Sequence, residues 1–403
     1  MIALAWRNVL RNRRRTALTA VSVGFGLAAV LFGQSVIEAV QVQLVEKSTG
    51  VFTGHIQIQA AGNRNLKFPD KLFSGAAQVE ARLASFPEVA AWGGRLHMTG
   101  MVSAPKDSAG VLICGVEPGR EAKVTAMSTY LSEGAYLPRA DSVYLGERLA
   151  RQLGLKAGGE VVLLAAAVDG SMGAERFRLD GIFRSGSATF DGQIVYVPLA
   201  SLQRMLAAEG RINNLVVRLK DPELAGEVRG RLGPRLAGLP VKALSWEEID
   251  HEIVGIRRYQ DALLAVVLAV VFGIVALGVV DTMMMSMFER VREFGLLMAL
   301  GARPGFVVRL ILAESFLLCL LGAALGLAGG AALILHYGRS GLELPIKDAI
   351  GYFIPFDPVL RLRFSWGKHL AALAGVLLTG AVGGLVPALK ASRMRPTESL
   401  RHL

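Results

Sequence analysis

At 403 residues, 52% of them hydrophobic, with 46 glycines, 19% charged residues and a mean hydropathy of +0.44, the chain is too apolar for a wholly soluble protein and reads as a membrane protein with a sizeable water-exposed part. A formal net charge of +11 and a pI near 9.9 would also suit nucleic acid, but the basic residues cluster beside apolar runs, where anionic lipid is their natural partner, so nucleic-acid binding is excluded. Two cysteines, Cys114 and Cys319, lie far apart and the second falls inside an apolar run, which defines neither a disulfide framework nor a CxxC metal site.

The opening MIALAWRNVLRNRRR predicts an amphipathic helix with Ile2, Trp6, Val9 and Leu10 toward lipid and Arg7, Arg11, Arg13, Arg14 and Arg15 toward headgroups. Thr16 to Ile37 supplies about 22 mostly apolar residues, enough to cross roughly 30 Å of hydrocarbon as a first transmembrane helix. That core is too long for a cleaved signal peptide, and no A-x-A cleavage pattern follows it.

From residue 41 to 260 the composition becomes mixed. Short runs read as strands: HIQIQA (His55 to Ala60), GVLICGV (Gly110 to Val116), EVVLLAAA (Glu160 to Ala167), ERFRLDGIF (Glu175 to Phe183), GQIVYVPL (Gly192 to Leu199) and NNLVVRL (Asn213 to Leu219). Helical segments are expected at Ser74 to Ser85, Ser142 to Leu153, Ala200 to Glu209 and Pro222 to Leu236, giving an α+β domain. The stretches Gln78 to Leu96 and Gly226 to Leu244 echo each other as helix, turn and strand. With a strand before each, two strand-helix-strand units can pair into one ferredoxin-like sheet, built from 41–114 and 206–260, with 115–205 inserted as a β-rich subdomain.

Asp261 to Val280, Phe306 to Tyr337 and Lys368 to Leu389 are the remaining crossings, and Gly338 to Gly367 is a loop holding Pro345, Pro355 and Pro358. The third span carries small residues, Gly322, Ala323, Ala324, Gly326, Ala328, Gly329 and Gly330, that let another helix approach closely. The fold class expected is a polytopic α-helical membrane protein with four transmembrane helices and a large α+β extracytoplasmic domain, divided as 1–40, 41–260 and 261–403.

Between the second and third spans lies MFERVREFGLLMALGARPGFVVRLILAES, Met287 to Ser315. A charged helical piece, Phe288 to Leu300, is closed by Gly301 and the Arg303-Pro304-Gly305 turn. The pattern E-R-x-R-E-F-G-L-L-x-A-L-G-A-R, then E-S on the next helix, closely resembles the cytoplasmic coupling helix of ABC-transporter permeases of the macrolide-exporter, lipoprotein-releasing and FtsX class. The resemblance implies that Glu289, Arg290, Arg292, Glu293, Gly295, Leu296, Ala299, Leu300 and Gly301 dock on a separate ABC ATPase dimer, which uses ATP and Mg. It also implies a second permease copy, identical or different, and a porter-like outer subdomain carrying an inserted one. In that outer region EGAYLP (Glu133 to Pro138), VYLGERLARQLGLKAGGEVVLL (Val143 to Leu164) and RLDGIFRSGSATFDGQIVYVPLASLQRML (Arg178 to Leu206) are similar to lipoprotein-releasing permeases, although macrolide exporters share much of this order.

Counting Lys and Arg gives five in residues 1 to 15, four in 288 to 309 and four in 388 to 403, against a nearly balanced 41–260 region. The positive-inside rule therefore predicts a multi-pass protein of the bacterial inner membrane with both termini and the coupling helix cytoplasmic and the large domain periplasmic. No P-loop, H-E-x-x-H or G-x-S-x-G pattern occurs, and GFGLAA at Gly24 to Ala29 lies inside an apolar span, so no catalytic, metal or cofactor site is expected in this chain. Glu314, within the third span, is expected to make a structural polar contact. The function expected is ATP-driven extraction of a lipoprotein or other lipophilic cargo, entering between the first two spans at Val23, Leu27, Val30, Leu31, Val267, Val271, Ile274 and Leu277, with a periplasmic carrier or adaptor as a further partner. Adaptor-linked efflux and FtsX-like signalling to a periplasmic hydrolase stay open.

Overall fold

A computed structural model describes residues 1–343 and 359–394; Pro345, Pro355, Pro358, Arg395 and Arg401 lie outside the described residues. Two compact units emerge, one gathering Met1–Gln41 with the helices that follow Arg257, the other holding Val42–Ile256.

Helix α1 (Ile2–Arg11) turns Ala5 and Val9 inward and leaves Ile2, Trp6 and Leu10 exposed, so Val9 belongs to the protein interior and not to the lipid-facing set expected for it. After a one-residue break at Asn12, α2 (Arg13–Ser48) runs 36 residues, roughly 54 Å at 1.5 Å per residue, which exceeds the ~30 Å hydrocarbon core. It closes in a π-type turn, Thr49–Thr53, capped by Gly54, whose N–H bonds the Thr49 carbonyl at 2.9 Å. Gly54 sits at φ 65°, and a Cβ there would collide with Val216, so only glycine fits.

The α/β unit starts with β1 (Ile56–Ala60), α3 (Ala76–Leu83) and β2 (Val89–Ser103), followed by β3 (Ser108–Val116), α4 (Pro118–Val124), β4 (Leu131–Gly134), β5 (Ser142–Gly146) and α5 (Glu147–Gln152). Then come β6 (Glu160–Ala166), β7 (Met172–Phe183), α6 (Phe190–Gln193), β8 (Ile194–Pro198), α7 (Leu199–Met205), β9 (Asn214–Leu219), α8 (Ala225–Arg235), β10 (Val241–Ser245) and α9 (Trp246–Ile249). The strand-helix-strand units β1–α3–β2 and β9–α8–β10 interleave in the order β10-β1-β9-β2, every neighbour antiparallel, which is the ferredoxin-like arrangement. In β1 the alternation of Ile and Gln has a two-sided meaning. Ile56 and Ile58 enter the apolar core, while Gln57 and Gln59 are buried on the opposite face and pair with each other at 2.8 Å, with Asn214 also donating to Gln57 at 2.8 Å.

The segment 115–205 does not form a sheet of its own. Strand β2 is 15 residues long: Val89 to Arg95 pairs β9, Arg95 to Ser103 pairs β3, and Gly100 to Ser103 also pairs β6. One ten-stranded sheet therefore runs through both halves. The helix expected from Ser142 is a strand as far as Gly146. Val143, Tyr144 and Leu145 are fully buried in a slot between β7 and β8, and burial on both faces removes the alternation by which a strand is read.

Helix α10 (His251–Glu289) carries the second span, α11 (Val291–Ala299) follows, and α12 (Pro304–Ser340) carries the third. Strands β11 (Leu342–Glu343) and β12 (Val359–Leu360) pair before α13 (Trp366–Ser392), the fourth span. The small residues of α12 do what their size permits. A Cβ on Gly326 would come within 2.6 Å of the Gly24 carbonyl oxygen, so the backbones of α2 and α12 approach closely. Nearer the start of α12, on the same stripe, Ser315 Oγ donates to the Gly380 carbonyl of α13 at 3.0 Å, and Gly380 and Gly384 leave room for Cys319 and Ser315.

Candidate coupling site

The break between α10 and α11 is a single residue, Arg290, at φ −116° and ψ 15°. Gly301 at φ 93° ends the segment, and Pro304 opens α12 at a position where its missing N–H costs nothing. Phe294 anchors α11: it is fully buried among Met287, Val307, Leu310, Ile311, Ala388 and Ala391, with Ala5 of α1 in the same cluster.

Arg290 turns inward. Its Nη1 donates to both oxygens of Glu314 at 2.9 and 3.0 Å, its Nε donates to Glu293 at 2.8 Å, and its guanidinium lies 5.0 Å from the Phe294 ring centroid. Glu314 also accepts from Asn8 Nδ2 at 2.5 Å. Buried ion pairs carry a desolvation cost that hydrogen bonding must offset, and here three donor contacts surround one carboxylate and its partner arginine has both acids in reach. Burial works against the Arg290 charge, but Glu314 and Glu293 outweigh it and raise its pKa above the ordinary arginine value. Burial likewise pushes Glu293 up, and hydrogen bonds from Arg290 and Arg11 bring it below the usual carboxylate range.

A second layer staples the N-terminal segment to this break. Arg11 donates to Glu293 at 2.8 Å, Arg15 to Glu289 at 2.6 Å and Asn12 to Glu289 at 3.1 Å. Arg11 and Arg15 lie on either side of the break at Asn12, and Glu289 and Glu293 on either side of the break at Arg290, so the two breaks face each other with opposite charge.

Of the residues expected to meet an ATPase, Arg290 and Gly295 are buried, and Glu289 and Glu293 are exposed but already paired within the chain. Arg292, Leu296, Ala299, Leu300 and Gly301 are exposed, and the first four fall on one helical stripe. Leu296 at 54% and Leu300 at 77% exposure are large apolar groups that this chain does not cover. Arg11 and Arg15, expected to face headgroups, pair instead with Glu293 and Glu289, and no signal in the sequence marks Asn8 and Asn12.

The eight expected cargo contacts do not form one surface. Val23, Leu27, Val30 and Leu31 are buried in the core shared with α12, whereas Val267, Ile274 and Leu277 are exposed on α10 and Val271 is half-buried. Among the described residues no cluster of His, Cys, Asp and Glu could hold a metal ion.

Comparison with known proteins places both halves of the chain. Residues 16–234 match a MacB-like periplasmic core domain, and residues 265–396 match an FtsX-like permease C-terminal domain. Lipoprotein-releasing system transmembrane protein LolC of Xylella fastidiosa is 24% identical over 302 residues, covering 72% of each chain. LolE of Haemophilus influenzae, another lipoprotein-releasing system transmembrane protein, is 21% identical over 395 residues, 95% of this chain and 93% of that one. Macrolide export ATP-binding/permease protein MacB of Escherichia coli is 30% identical over 253 residues, which is 61% of this chain and 36% of that protein. With one domain match taking in the first span and most of the sheet and the other the remaining three spans, the chain belongs to the ABC-transporter permease family that joins a MacB-like periplasmic core to an FtsX-like permease domain.

Proposed function

We propose that this permease is a mechanical relay: a separate ATPase engages the exposed stripe of α11, and its nucleotide-driven motion passes through the spans to the large domain outside. The observation that carries this reading is the Arg290–Glu314 pair, which ties the coupling segment to α12 so that a push on α11 becomes a movement of the third span. Asn8 and Arg11 extend the same tie to the N-terminal helix. The basic flanks of the spans support a cytoplasmic position for both termini and α11, with the α/β domain on the periplasmic side of the inner membrane. The exposed apolar stripe on α10, with Val266, Val270, Ile274 and Leu277, supports a second permease copy there.

The cargo is lipophilic in this reading, a lipoprotein or similar amphiphile withdrawn from the membrane, which the matches to LolC and LolE support; adaptor-linked efflux, which the match to MacB supports, is the second reading. The test is reconstitution with the cognate ATPase in proteoliposomes. Leu296→Asp with Leu300→Asp should abolish capture of the ATPase and its stimulation while leaving the fold intact, because both side chains are largely exposed in this chain. Stimulation and release of an acylated peptide unchanged by both substitutions would reject the relay, and release of a macrolide but no acylated peptide would reject the cargo class.

A further inference from the structure

The α/β unit contains a cavity of about 1080 Å3, just above the ~300–1,000 Å3 usual for small-molecule sites. Most of its exposed wall area is apolar, with Val51, Phe52, Phe68, Phe190, Ile194 and Ile253 beside the polar groups of Thr53, Asn65, Thr99, Thr189 and Gln193. Phe52 is the fixed centre of that wall. Its ring stacks on His97 at 5.3 Å, tilts against Phe68 at 5.5 Å and meets the edge of Phe190 at 6.2 Å, while Arg95 Nη1 donates to its carbonyl at 2.5 Å. An open space with preset aromatic walls suits an aliphatic chain, whose methylenes gain from leaving water and need no hydrogen-bond partner.

The charged groups of the lining constrain the other end of the ligand. Lys67 Nζ lies 3.3 Å from Asp250 and 3.4 Å from Glu252, and Ser48 Oγ donates to Asp250 at 2.8 Å. With Lys47, which donates to Tyr130 at 3.4 Å, the four charged lining residues sum to zero. A phosphate monoester or free carboxylate would have to compete with Asp250 and Glu252 for Lys67. A neutral or zwitterionic head would not. The walls are also continuous with the membrane helices, since Ser48 is the last residue of α2 and Ile253 lies in the first turn of α10.

We propose that this cavity takes the hydrocarbon chain of a membrane-derived amphiphile with a neutral or zwitterionic head. The inference deepens the lipophilic-cargo reading and rests on it for its role, but binding itself stands on the cavity. Because the ends of the helices carrying the first two spans line the site, a bound chain touches both elements that the relay moves.

The experiment uses the full chain in phospholipid nanodiscs with a single-chain phosphocholine bearing a mid-chain diazirine, and crosslinked peptides are mapped by mass spectrometry. Labelling is expected on peptides carrying Phe52, Phe190 or Ile253. Gly110 lines the cavity, and a Cβ added there would meet nothing within 4 Å, so Gly110→Phe fills the space without displacing backbone. Cavity labelling should fall at least fivefold in Gly110→Phe relative to labelling of the spans in the same sample. Thr99→Trp, at an exposed lining residue, should do the same and serves if the first variant does not fold. Labelling confined to the four spans, cavity labelling unchanged in the filled variants, or labelling by an anionic single-chain probe equal to that by the phosphocholine would each overturn the proposal. ATPase stimulation in the same nanodiscs separates the two readings. Stimulation without cavity labelling rejects the cavity alone, and cavity labelling without stimulation rejects the relay alone.

Discussion

Arg290, the one residue between α10 and α11, donates to both carboxylate oxygens of Glu314 inside α12, at 2.9 and 3.0 Å. The two residues are 24 apart in sequence, and their side chains are 8% and 5% exposed, so a charge belonging to the segment before α12 is neutralised within the third span. The segment cannot tilt alone without separating buried opposite charges.

Removing one partner of this pair leaves the other buried and uncompensated, which typically costs about 3–5 kcal/mol. Glu314→Ala should therefore lower the unfolding midpoint in detergent sharply and abolish ATPase stimulation. Replacing both partners, Arg290→Leu with Glu314→Leu, should recover much of the stability but not the stimulation, and recovery of both would show that the pair is structural only.

The outer staple should behave differently. Arg11 and Glu293 are 53% and 45% exposed, and ion pairs in such positions contribute about 0.2–1 kcal/mol. Arg11→Ala is expected to shift the midpoint little, with any effect vanishing at high salt, where exposed charges are screened. A loss as large as that of Glu314→Ala would contradict this ranking.

Helix packing in the span bundle gives a paired test. A side chain at Gly326 would press on the Gly24 backbone, whereas one at Gly273 meets nothing within 4 Å. Gly326→Leu should destabilise by more than the ~1–3 kcal/mol of ordinary overpacking, because the obstruction is backbone. Gly273→Ala should be neutral or stabilising, by up to about 1 kcal/mol from helix propensity. Thermal unfolding of the two variants reads the difference.

In the α/β unit His97 is buried beside Arg95, and burial, then the arginine's charge, holds its pKa at about 3 against 6.5 ordinarily. The folded state therefore stays neutral there while the unfolded chain takes up a proton below about pH 6.5. This contribution is complete above that pH and is lost as pH falls toward 3, at about 1.4 kcal/mol per unit, or roughly 2 kcal/mol between pH 6.5 and 5. His55, lowered to about 4 chiefly by burial and then by Arg218, adds in the same direction. His97→Phe should flatten the acid limb of a stability-against-pH curve, and a limb unchanged by the substitution would show that His97 does not supply it.

The four spans, the charged segment between the second and third, the two strand-helix-strand units and the family were all legible in the chain, because each rests on local periodicity, apolar run length or an ordered motif. Tyr144 shows where such reading stops. Its strand has no alternation since both faces are buried, and only the slot between β7 and β8 makes it a strand.

What the sequence determined by itself was therefore the four spans and those helices and strands that show a periodic face, since apolar pattern and turn chemistry act over a few residues. Which side chains meet was decided by tertiary structure. Nothing local to Arg290 says that it turns inward to Glu314 while Leu296 and Leu300 stay uncovered, and nothing local to Val23 or Leu27 says that the glycines of α12 have already taken their face. Burial and charge pairing across long sequence separations depend on how whole helices pack, and the direction of a side chain on a helix is fixed by its neighbours in space.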